Sequence, residues 1–256
     1  MNGVSLRGAT DYYQPFPDPG GVFASKVEEH AEYLLPVGTL SLSRLSPDWS
    51  GDIHFLLPVE PLGGYGYLGE KSVPYHNYLC RTEWLGYHLR DSKCELACDF
   101  RYFHKKYYAE HPPQDKYQID EASQLDAYYQ QTHAYFDRCR RNFQKNGFLN
   151  LRTEEFPGSK QLTEDDGCVL VDGLGGLSFS SNWSVSNFPM SRYPGEYEVD
   201  GEIGEWVRVV PQTEDGRDFV FIGQFDMWDY MEYSNGSLLL FYDPVENTAL
   251  TTIDWG

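Results

Sequence analysis

Asn235-Gly236-Ser237-Leu238-Leu239-Leu240-Phe241-Tyr242-Asp243 decides the class of fold. Its run of large apolar residues has the length of a strand, and the Asn-Gly pair before it supplies the positive φ that a tight hairpin turn needs. Upstream, Phe219-Val220-Phe221-Ile222 is a second run, preceded by a second Asx-Gly pair, Asp215-Gly216, and by Trp206-Val207-Arg208-Val209-Val210. Cys168-Val169-Leu170-Val171 lies further back, and Leu250 to Ile253 follows. Runs of this length separated by turn signals pair antiparallel, so the C-terminal part reads as an antiparallel sheet.

The middle of the chain differs in kind. Leu125, Tyr129, Thr132, Phe136, Cys139 and Phe143 alternate spacings of four and three, the stripe of a helix that Gly147 ends. Ser123, with Asp126 three residues on, reads as its cap. Tyr78, Thr82, Leu85 and Leu89 suggest a helix before it, and Cys94, Ala97, Phe100, Phe103 and Tyr107 another, with His111-Pro112-Pro113 as the break. Residues 1–72 are rich in Pro and Gly, with strand-like runs at Thr39 to Leu42 and Ile53 to Leu57. The expectation is one α+β domain over 1–256: β-rich over 1–72, helical over about 74–147, and acidic and β-rich over 160–256. No repeat or Gly/Ser linker divides it.

The chain carries 20 Lys and Arg against 39 Asp and Glu, a formal net charge of −19. Such a surface repels phosphate and anionic lipid, which argues against nucleic-acid and membrane partners. The charge is unevenly placed: residues 1–150 hold 15 bases and 19 acids, and residues 151–256 hold 5 and 20. Within the acidic part, Glu196, Glu198, Asp200 and Glu202 alternate with Tyr197, Val199 and Gly201, which on one strand lines four carboxylates along one face. Like charges so placed repel, and they are read either as a wet, aggregation-resistant face or as a surface for a cationic partner. Asp226, Asp229 and Glu232 form a second group at helical spacing with Trp228 and Met231 nearby, read either as acid beside aromatic at a protein interface or as a packed helix with a wet face.

Signatures of other chemistry fall short. Gly64-Tyr65-Gly66-Tyr67-Leu68-Gly69 matches G-x-G-x-x-G, but a dinucleotide fingerprint needs a helix opening on it, and Pro74 follows. Gly173-Leu174-Gly175-Gly176 reads as a tight turn in a sheet. Cys94 and Cys98, four apart, could share an ion with His88, His104 or Cys139, although zinc sites favour a C-x₂-C turn, so no metal or cofactor is expected. Seven histidines and many acids carry no G-x-S-x-G, H-E-x-x-H or cysteine-protease context, and no catalytic residue is assigned. The odd count of five cysteines, the absence of a basic-then-apolar opening at Met1 to Gly8, and the lack of any apolar run near ~18 residues point to a cytoplasmic protein.

Phe221-Ile222-Gly223-Gln224-Phe225-Asp226, an acidic aromatic stretch, and then Gly236 to Asp243 are similar to the C-terminal pattern of YwqG-like bacterial proteins. The resemblance implies an immunity protein of the kind paired with toxins of contact-dependent and type VI secretion: a cytoplasmic, non-enzymatic binder that covers a toxin's active site. The expected partner is a cognate toxin with a basic surface, a nuclease first. It would meet Glu196, Glu198, Asp200, Glu202, Asp226, Trp228, Asp229 and Glu232. The alternative is a hydrolase whose acidic cleft takes a neutral or cationic substrate.

Overall fold

The computed structural model describes residues 3–152, 163–199, 202–232 and 234–255. In chain order the strands and α-helices are β1 (Val4–Leu6), β2 (Tyr13–Pro15), α1 (Pro19–Val22), α2 (Val27–Tyr33), β3 (Leu34–Ser41), β4 (Asp52–Pro58), β5 (Trp84–Arg90), β6 (Lys93–Leu96), α3 (His104–Glu110), α4 (Lys116–Asn146), β7 (Val171–Leu174), β8 (Met190–Val199), β9 (Glu202–Pro211), β10 (Val220–Asp226), β11 (Gly236–Asp243) and β12 (Thr248–Trp255). This is an α+β fold, with the long helix set between β-rich N- and C-terminal parts.

A seven-stranded sheet, ordered β1-β7-β10-β11-β12-β5-β6 with every pairing antiparallel, carries the fold. A three-stranded sheet β2-β3-β4 and the hairpin β8-β9 accompany it. Alternation along β11 sends Leu238, Leu240 and Tyr242 to one core and Leu239 and Phe241 to another. The first face packs on the smaller sheet and α4, where Phe225 meets Phe55 edge-on at 6.2 Å. The second face is covered by Trp183, Phe188, Val209 and Phe219. Because both faces are buried, the strand is apolar without interruption, the pattern expected of a doubly packed strand.

Helix α4 confirms the stripe from Leu125 to Cys139, all of it buried, with Phe143 partly so, and Gly147 closes it in the left-handed region at φ 80°. Its start does not follow the expectation. Asp115, not Ser123, is the cap, accepting from the Gln118 amide at 2.9 Å, so the helix begins two turns earlier. The helical stretch is also shorter than 74–147, for residues 84–96 form the hairpin β5-β6. Trp84-Leu85-Gly86-Tyr87 is buried throughout, and a run buried on both faces has no period that separates strand from helix. The turn residues Asp91 and Ser92 both have positive φ, as a type I′ hairpin requires. Cys94 therefore sits on β6 and Cys98 lies beyond it, not on one helix. Conversely, α1 and α2 interrupt an N-terminal part that reads as strands and turns alone. Asp215-Gly216 makes its tight turn, with Gly216 at φ 86°, whereas Asn235-Gly236 ends a longer connection that holds a 3-10 turn over Met227–Asp229. No helix among the described residues is long and apolar enough to cross a membrane.

Candidate partner-binding surface

A catalytic constellation must reach a substrate, and the most deeply buried titratable groups of the chain do not. His104, Glu60 and Glu121 are wholly shielded from water. Glu60 accepts from the His104 and Lys105 amides at 2.6 and 2.8 Å and from the Tyr129 hydroxyl at 2.8 Å, an anion seated on the first turn of α3. His104 Nε2 takes the Lys71 amide at 3.1 Å while Nδ1 meets Glu121 at 2.7 Å, which fixes the proton on Nδ1. The side-chain polar atoms of Glu60, His104 and Glu121 all have internal partners, and the network ties the loop at Lys71 to α3 and α4.

The second face of the large sheet is open at one end. A cleft of about 630 Å³ is floored by Asp172, Gln224 and Asp254 and walled by Trp183, Phe179 and Phe221. Register explains the assembly: Gln224 lies opposite Asp172, and Asp226, Ser237 and Asp254 form one row across β10, β11 and β12. Ser237 donates to Asp226 at 2.5 Å, and Asp254 accepts the Trp183 amide at 3.2 Å. Among the described residues no Lys or Arg lines this cleft. Sequence reasoning placed Asp226 at the surface but missed Asp172 and Asp254, which only strand register brings to it.

The second acidic group follows directly. Asp226 stands at the N-terminal position of the 3-10 turn over Met227–Asp229 without a side-chain capping bond, and the helical spacing shrinks to that single turn. Trp228 is 63% exposed, and Asp226 and Glu232 are exposed beside it. Asp229 differs: it is half-buried, and burial raises its carboxyl above the ordinary value against the opposing Cys168 hydrogen bond.

The four alternating acids do not share a strand. β8 ends at Val199 and β9 begins at Glu202, the two paired across the hairpin, so Glu202 belongs to the return strand and is out of phase with positions 196 and 198. The sequence signal is Asp200-Gly201, a hairpin pair hidden because alternation runs through it; Asp200 lies outside the described residues. Glu196 instead faces Glu205, both exposed. Next to this pair, Gly195 lies under the Trp206 indole, which a β-carbon would strike.

At the other end of the same sheet face, a cavity of about 620 Å³ is lined by His88, Glu214, Asp215, Arg217, Asp243 and Glu246, among others. Arg217 bridges Asp215 and Asp243, the latter at 2.8 Å, so Glu214 and Glu246 dominate the charge that remains. Among the described residues no cluster of three His, Cys, Asp or Glu has the geometry to hold a metal ion. The Gly64 to Gly69 loop runs into further turns and not into a helix, which removes the context a dinucleotide fingerprint needs.

Comparison with protein-family models, with characterised proteins and with solved structures returns no match.

Proposed function

We propose that the chain is an immunity-type protein that binds a basic toxin, a nuclease foremost, and covers its active-site surface. One observation carries the reading. Residues 151–256 hold 20 acids against 5 bases; Arg217 is already paired with Asp215 and Asp243 of that same part, while Glu196, Glu205, Asp226 and Glu232 are exposed. Exposed acids of one sign raise the encounter rate with a cation-rich surface, and Trp228 supplies the aromatic anchor that such interfaces use. A nuclease presents the Lys and Arg that hold phosphates, so a carboxylate surface competes for them.

The test is capture from the native host followed by association kinetics. A stoichiometric basic protein should co-purify, and its association rate should fall by about tenfold or more as salt rises or as Glu196, Glu205, Asp226 and Glu232 are changed to Lys. A clean monomer, or a rate indifferent to both changes, overturns the reading. The cavity holding His88, Glu214 and Glu246 favours a second one, a hydrolase for a cationic substrate. That reading requires turnover that His88→Ala abolishes without changing partner association.

A further inference from the structure

Between the loop at Pro61 to Tyr67 and the turn after β10 lies a slot of about 180 Å³. Met227 and Met231 form its inner wall, with the Tyr128, Tyr67 and Trp255 rings around it. Tyr67 and Trp255 stand 6.5 Å apart at an interplanar angle of 47°. The Trp255 indole is fixed by donating to Glu83 at 2.6 Å. Ser234, only 6% exposed, also lines the slot, and its hydroxyl has no hydrogen-bond partner. Such a group normally finds a partner, because burial without one is costly.

Charge around the slot is negative. Glu232 follows Met231 and is exposed, and Glu83 holds the indole edge. Glu70, whose carboxylate crowds Gly66, is paired with Lys71 at 3.2 Å, so that base is already neutralised.

We infer that the slot receives one arginine side chain of the basic partner, its guanidinium stacked on Trp255 and Tyr67 and donating to the Ser234 hydroxyl. The inference rests on the partner reading above. An apolar occupant would seal the Ser234 hydroxyl without satisfying it, whereas a donor-bearing side chain completes it. Lysine matches the charge but is a compact, strongly hydrated ammonium. Guanidinium is planar, more weakly hydrated, stacks on aromatic faces and offers several donors, while the aliphatic stem lies on the methionine wall. The flexible thioethers fit such a stem without a fixed shape of their own.

The test uses the unmodified chain and Nα-acetyl-arginine amide, followed through the Trp255 indole N–H resonance, assigned with Trp255→Phe. A saturable shift is expected, with binding about tenfold tighter than that of the lysine or leucine amide and about tenfold weaker in Ser234→Ala. No saturable shift, or equal binding of leucine amide, overturns the inference. A basic partner that binds Ser234→Leu with unchanged affinity overturns the slot while leaving the partner reading in place. A saturable arginine site on a chain that captures no basic protein supports the slot chemistry and overturns the partner reading.

Discussion

His104 donates from Nδ1 to Glu121 across 2.7 Å in a place no water reaches, and the second oxygen of Glu121 takes the Tyr108 hydroxyl at 2.8 Å. Removing the acceptor strands two buried donors at once. Glu121→Ala should therefore destabilise the fold by about 3 kcal/mol. Glu121→Gln keeps one acceptor oxygen and should cost clearly less. Urea denaturation of the two variants checks this; equal losses would mean that cavity formation, not hydrogen bonding, sets the cost.

His54 makes stability depend on pH. Its Nε2 donates to the Ser92 carbonyl at 2.7 Å and its Nδ1 accepts from Thr39 at 2.8 Å, and burial lowers its pKa against the opposing Ser92 bond. The unfolded chain then binds a proton near pH ~6.5 that the folded chain refuses. The stability this group contributes is whole above that pH and is lost as pH falls toward the folded pKa. The stability difference between the natural protein and His54→Gln should accordingly shrink from about pH 7.5 to about pH 5. A difference constant across that range would exclude a neutral buried imidazole.

Gly147 ends α4 at φ 80°, with its amide on the Phe143 carbonyl at 2.8 Å. An alanine there meets the left-handed backbone penalty, so Gly147→Ala should cost about 1 kcal/mol. For a chain of this size that is about 2–4 °C in melting temperature. Calorimetry on the variant is sufficient, and an unchanged melting temperature would count against the cap.

Trp228 separates binding from stability. Being 63% exposed, it should be replaceable by alanine with a change in folding stability within about 0.5 kcal/mol. The same change should weaken the proposed toxin complex by about 2 kcal/mol or more. If affinity survives Trp228→Ala, the partner docks elsewhere.

What the sequence allows one to read follows from which forces are local. The body and end of α4 are legible because the stripe from Leu125 and the closing Gly147 agree along one segment, whereas its start is not, since Ser123 offers a local cap pattern inside a helix that Asp115 begins. Trp84 to Tyr87 was misread because burial on both faces erases the period of two. Asp226, Trp228 and Glu232 could be grouped from sequence, being neighbours along the chain. The cleft floor could not, since Asp172, Gln224 and Asp254 meet only through the register of strands far apart in sequence. The misplacement of Glu202 has a smaller cause: an Asp-Gly pair outranks continuous alternation as a signal.

Strand β11 has a consequence for how the protein fails. Ser237 to Tyr242 is apolar after its first residue, uncharged and free of proline, the makeup of a segment that stacks with copies of itself once its edges are bare. In the folded chain β10 and β12 occupy both of those edges. Peeling either neighbour away would convert the best-packed strand of the sheet into a seed for fibrils. The −19 charge would then keep partly opened copies too far apart to pair.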